Sequence, residues 1–119
     1  MALAEVAIRA LATFLVATVF YTLTVHLAAT FVLEEASIFE ALLVGPVPAA
    51  ISVAVGLLTQ ETVPEAAPLA VPLLAIPADF LAIAWSYELD RRMAALVTIG
   101  HFTMSILLAA SLIGLFGGL

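Results

Sequence analysis

Three ionisable side chains stand inside long apolar stretches of this sequence: His26 in TLTVHLAAT, Asp79 in LLAIPADFLAIAW and His101 in TIGHFTMS. A carboxylate and two imidazoles at such places offer three kinds of chemistry. They can pass a proton, they can tie helices together by hydrogen bonds, or the imidazoles can ligate a haem iron. Placing any of them at membrane depth costs several kcal/mol, so each is a functional-site hypothesis with a partner to be named. Tyr21, deeper in the first apolar stretch, joins them as a lining residue of the interior.

These residues must be positioned by membrane helices. Of 119 residues 66% are hydrophobic and only 10% charged, against about 45–50% and about 25% in a soluble domain. A core this small cannot hide that much apolar surface, so lipid is the solvent for most of it. Four segments, about residues 6–32, 38–59, 68–87 and 91–116, are each long enough to cross a bilayer at roughly 20 residues per helix. LEEASIFE, TQETVPEAAP and SYELDRR supply the connectors, with Ser37 as N-cap of the second helix. Short loops predict an all-α, four-helix transmembrane bundle, antiparallel and up-down-up-down, as one domain over residues 1–119. The N-terminal stretch carries Glu5 beside Arg9 and an apolar run too long for a signal peptide, so it reads as a retained helix.

Helices one and three end on the face where two and four begin. Measured from that face at 1.5 Å per residue, His26, Asp79 and His101 all lie roughly 10–15 Å deep. They form one predicted polar layer on three helices. In the second helix the same layer holds Gly45, Pro46 and Pro48, where missing backbone donors free carbonyls for other partners. Pro68, Pro72 and Pro77 stud the third helix and predict a kink repaired by its neighbours. Asp79 is expected to pair with one histidine, or to accept from Ser/Thr hydroxyls as a bundle lock. Thr22, Thr24, Thr98, Thr103 and Ser105 have no glycine elbow or activating constellation and do not read as nucleophiles.

Small residues at four-residue steps mark packing faces: Ala50/Ala54 and Ser52/Gly56 in the second helix, and Ala110, Gly114 and Gly118 in the fourth. They serve contacts within the chain or between chains. Trp85 and Tyr87 are placed in an aromatic belt at the interface. Three arginines, no lysine and nine acids give no basic footprint for nucleic acid. With no cysteine, thiolate chemistry and disulfides are excluded. Arg91 and Arg92 pull the third connector to the cytoplasm and Arg9 pulls the N-terminus there. The count of two against one places both termini outside.

At LVGPVPA, AIPADFLAIAW and ALVTIGHFTMSILL the whole chain resembles small four-helix integral membrane proteins of halophilic archaea, a family without an assigned function. Missing lysine, acidic loops and Ala/Val-rich helices fit that resemblance, which implies the cell membrane as compartment and no activity. The small multidrug resistance transporters have similar length and a membrane glutamate in an AEV-like context. Here Glu5 of LAEV is outside the membrane core and nothing later matches, so their site is not carried over. The sequence therefore predicts a non-enzymatic structural or accessory protein of the lipid bilayer, assembling with itself or with a larger complex. One alternative is a small proton-linked transporter or channel using Asp79, His26 and His101. The other is a redox protein with haem b between His26 and His101; no cofactor or metal is otherwise predicted.

Overall fold

The computed structural model describes residues 2–59, 65 and 67–117. Five helical elements follow in order: α1 (Leu3–Leu33), α2 (Ile38–Val44), α3 (Pro46–Thr59), α4 (Ala67–Ser86) and α5 (Arg91–Phe116). Among the described residues four stretches are long and apolar enough to cross a membrane, because Ile38–Thr59 counts as one. The expected ends hold within a few residues. Ser37 caps α2 through a capping box: Phe39 N–H donates to Ser37 Oγ at 3.2 Å, and Ser37 N–H donates to Glu40 Oε1 at 3.4 Å. Asp90 caps α5, accepting from Met93 N–H at 2.9 Å. The Glu5–Arg9 pair forms at 3.2 Å on the exposed start of α1.

The proline-rich segments are less disturbed than their composition implies. Gly45 keeps helical angles (φ −49°, ψ −42°) and its N–H donates to Ala41 O at 2.8 Å. Pro46 and Pro48 fall in the first turn of α3, where a helix tolerates proline best. The helix α4 runs unbroken through Pro72 and Pro77.

Around the bundle, α1 packs on α5 and on α2/α3, and α4 packs on α2/α3 and on α5. Each span thus touches its two neighbours, and the antiparallel four-span arrangement follows. The inward positions recur at helical spacing. In α4 they are Ala75, Asp79 and Ile83, continued by Tyr87 in the turn that follows, and in α5 Ala94, Val97, Thr98 and His101. What sorts the faces is size. The buried cluster is built of Val25, Ala29, Ala41, Val44, Ile83, Tyr87, Ala94 and Val97, while Phe31, Leu73 and Trp85 are at least 70% exposed. Small residues inside let backbones approach closely, which is how helices gain packing energy when lipid removes the hydrophobic drive between them.

Two glycines mark the closest crossings. A Cβ on Gly45 would overlap the Thr22 hydroxyl of α1 and lie 3.0 Å from the Thr18 carbonyl, and one on Gly100 would lie 3.3 Å from Ala28 Cβ. The small-residue steps are distributed differently. Ser52 is half-buried against α1, but Ala50, Ala54, Ala110 and Gly114 are exposed, and Gly56 and Gly114 have open space around a Cβ. Gly118 lies outside the described residues. Trp85 faces outward as the aromatic belt requires. Tyr87 does not: it is 7% exposed and belongs to the core cluster.

Candidate functional site

Asp79 reaches the middle of the bundle because it shares a face with Ala75 and Ile83, both small enough or apolar enough to bury against α3 and α5. His101 shares the inward face of α5 with Val97 and Thr98. The two side chains meet, with Asp79 Oδ2 2.9 Å from His101 Nδ1. Both are almost fully enclosed, at 4% and 1% exposure. The approach lies off the line of the ring N–H, so the contact is an ion-pair approach rather than an aligned hydrogen bond. Asp79 Oδ1 and His101 Nε2 are buried without any partner.

All four spans contribute to the surroundings. Tyr21 of α1 sets its ring edge-on to His101 at 6.0 Å between centroids, and its hydroxyl meets Ser52 Oγ of α3 at 3.5 Å. Ser105, one turn beyond His101, donates to the His101 carbonyl at 2.8 Å and contacts Thr24 Oγ1 of α1 at 3.2 Å. A pocket of about 210 Å³ adjoins the pair. Its polar lining is Tyr21, Asp79, His101 and Ser105. Its walls are Pro48, Val71, Pro72, Ala75, Phe102 and Ile106. The predicted layer therefore brings together Tyr21, Asp79, His101 and the GPVP segment through Pro48.

The family model that matches takes in residues 4–117, and with them every residue of this layer. The chain belongs to the DUF7473 family, a family of unknown function. No curated protein and no solved structure matches it.

His26 departs from the predicted layer. Among the described residues no hydrogen bond, ion pair or ring contact joins its side chain to Asp79 or His101, and it does not line the pocket. Its Nδ1 is buried without a partner, as are Thr18 Oγ1 and Thr22 Oγ1. These three stand at four-residue steps, hence on one face of α1, and Thr22 faces Gly45. Other helical hydroxyls, at Thr30, Thr59, Thr98, Thr103, Ser105 and Ser111, donate to the carbonyl one turn back. The row of Thr18, Thr22 and His26 was legible as a four-residue repeat, although depth alone grouped His26 with Asp79.

At the end of the bundle where the first and third connectors meet, Ser86 Oγ donates to Glu40 O at 2.8 Å. The Tyr87 hydroxyl, in the turn after α4, is buried without a partner. Burial pushes its pKa up from 10.0 to about 12, with the Glu40 carboxylate adding to the rise.

Proposed function

We propose that this chain is a non-enzymatic multi-pass protein of the cell membrane that takes up and releases a proton at Asp79 and His101. The observation that carries the reading is the enclosed carboxylate–imidazole contact in which Asp79 Oδ1 and both ring nitrogens of His101 lack a hydrogen-bond partner. A pair serving only as a bundle lock gains nothing from those orphans, since each buried unsatisfied group costs about 1–3 kcal/mol. A proton-handling pair has a use for them, because an unpartnered carboxylate oxygen or ring nitrogen can give or take a proton. Such a pair has two net-neutral forms, carboxylic acid with imidazole and carboxylate with imidazolium. Moving the proton between them changes no net charge in a medium where net charge is expensive. The lack of lysine and the acidic connectors support a high-salt, halophilic setting, where a shielding acidic surface is tolerated.

The test is proton flux into liposomes holding the purified protein under an imposed potential. Asp79→Asn keeps the shape of the side chain and removes the ionisable group. Flux well above empty liposomes, and lost in Asp79→Asn while the helical content is retained, supports the reading. Flux that is absent, or indifferent to the substitution, removes it.

A second reading, assembly with itself or a larger complex, is favoured by the exposed Ala50/Ala54 and Ala110/Gly114 steps, since small residues facing outward admit another helix. Native mass spectrometry of gently extracted protein tests it, a single-chain mass being the adverse result.

A further inference from the structure

The outer face between α4 and α5 carries a long apolar groove. Two adjoining hollows of about 450 and 190 Å³ make it up, and they share Ile76, Thr98 and Ile99. Phe80, Ala95 and Thr98 form the floor, while Leu81 and Ile99 stand exposed as its rims. Phe102 and Thr103 continue it along α5. The groove offers no free donor, because the Thr98 and Thr103 hydroxyls donate to Ala94 O and Ile99 O at 2.7 and 2.9 Å. Neither Asp79 nor His101 lines it. Walls of this kind suit a hydrocarbon chain.

One end of the groove is polar. Arg91, Ala95, Thr98 and Phe102 recur at three- and four-residue steps and share one face of α5, with Arg92 and Ile99 on the adjoining row. Both arginines are exposed, stand about one helical turn beyond Ala95, and form no ion pair among the described residues. On α4, Pro77, Leu81 and Trp85 stand at four-residue steps, which brings the exposed Trp85 to the same mouth. The turn between them is tight, Leu89 N–H donating to Ala84 O at 3.1 Å. Of the two acids in this turn, Asp90 is engaged at the α5 cap and heads the inward row of Ala94, Val97 and His101. Glu88 is exposed and offsets part of the positive charge. From Arg91 to Thr103 the helix rises about 18 Å, close to half of the ~30 Å hydrocarbon core, which is the depth of one leaflet. A cationic mouth at the interface above an apolar track one leaflet deep has the outline of a single lipid.

We propose that the α4–α5 groove holds one phospholipid with an anionic headgroup, its chain along Phe80, Ala95 and Ile99 and its phosphate between Arg91, Arg92 and the Trp85 indole N–H. Guanidinium groups present paired N–H donors that match phosphate oxygens. An interfacial tryptophan keeps its ring in the apolar zone and its N–H among the headgroups. Any membrane protein is surrounded by lipid, so preference for one headgroup at one place is what defines the site. The proposal is independent of proton handling at Asp79.

Trp85 is the sole tryptophan of the chain, so its fluorescence reads this mouth alone. The purified protein in mixed micelles is titrated with phosphatidylglycerol brominated high on its acyl chains, and in parallel with phosphatidylcholine brominated alike, since bromine quenches tryptophan on contact. Phosphatidylglycerol should reach half-quenching at a mole fraction about fivefold lower or better, because each basic residue at a membrane surface is worth about a factor of five for anionic lipid and Glu88 offsets part of two. Arg91→Gln with Arg92→Gln should bring the two lipids level. Ala95→Phe, which fills the floor, should shift the anionic midpoint to higher mole fraction with both arginines in place. Unbrominated phosphatidylglycerol should displace the quencher, whereas glycerol phosphate in large excess, lacking the chain, should not. Micelles have no sides, so any effect of the arginines on membrane orientation does not enter. The wild-type comparison of headgroups stands whether or not the variants fold. Equal quenching by both lipids in the wild-type protein, a preference that survives loss of both arginines, an Ala95→Phe protein that quenches as wild type, or displacement by glycerol phosphate overturns the proposal. So does quenching by neither lipid, the result expected if a second copy of the chain covers the groove.

Discussion

At the scale of single residues, three glycines illustrate that the same residue type serves opposite ends. Gly45 stands where α1 passes so closely that a Cβ would overlap the Thr22 hydroxyl, whereas a Cβ on Gly56 would meet nothing within 4 Å. Gly100 lies between these cases, with Ala28 close enough that one of the two must shift. Gly45→Ala is therefore expected to destabilise the bundle by about 1–3 kcal/mol, the usual cost of overpacking. Gly56→Ala in an open helix interior is expected to stabilise it by about 0.5–1 kcal/mol. Reversible unfolding in mixed detergent micelles measures both, and equal effects of the two substitutions would contradict the close α1 crossing. Tyr87 gives a prediction in pH. Its hydroxyl is raised to about 12 by burial and then by Glu40, so the folded state holds its proton more tightly than the unfolded chain. The neutral form contributes full stability below pH 10, and that contribution is lost as pH rises from 10 towards 12. Ultraviolet titration should show phenolate from Tyr87 appearing late. Tyr87→Phe should remove both this late absorbance and its part of the alkaline destabilisation.

The helices themselves show which information the sequence carries. Their existence and length were legible because a bilayer demands about 20 apolar residues per crossing, and their ends because Ser37 and the charged connectors punctuate them. The facing of each helix was not legible. When Leu, Val and Ala fill nearly every position, polarity no longer varies around the helix, and size sorts the faces instead. Tyr87 goes against that sorting: it reads as an interface aromatic yet belongs to the buried cluster with Ile83 and Val97. His26 fails for a related reason. Depth fixes only the axial coordinate, and five residues beyond Tyr21 the helix has turned about 140° away from it. Asp79 and His101 were found because an ionisable group is visible against any apolar background. A prediction belongs to α2, a helix of 7 residues that is too short to hold itself together without its cap and its packing. Ser37→Ala removes the side-chain acceptor for Phe39 N–H and is expected to cost about 1 kcal/mol. Hydrogen exchange should show the first turn of α2 opening faster while α3 and α5 stay protected. Unchanged exchange at Phe39 and Glu40 would show that the capping box contributes nothing.

For the whole molecule, the question is which way the bundle lies in its membrane. The first and third connectors share one end, as the Ser86–Glu40 hydrogen bond demonstrates, so one orientation fixes both. Arg91 and Arg92 follow the Asp90 cap at that end and are exposed. The competing cation, Arg9, sits on α1 at the other end and is paired with Glu5 at 3.2 Å. Positive residues near helix ends are retained on the cytoplasmic side, and two at one end outvote one at the other. The termini are therefore expected outside, with the Glu34–Ser37 and Tyr87–Asp90 connectors in the cytoplasm. The absence of cysteine makes the test direct, since any engineered thiol is the sole target for a membrane-impermeant maleimide. Glu88→Cys and Ala2→Cys place that thiol at opposite ends of the bundle. In intact cells Ala2→Cys should label and Glu88→Cys should not, until the membrane is permeabilised. The reverse pattern would mean that Arg9 dominates insertion. Arg9→Ala should then turn the protein over, whereas in the expected orientation it should leave labelling unchanged and Arg91→Ala with Arg92→Ala should be needed to disturb it. Labelling of both sites in equal measure would show a dual orientation, in which an antiparallel pair of chains could place two Asp79 layers at the same depth facing opposite sides.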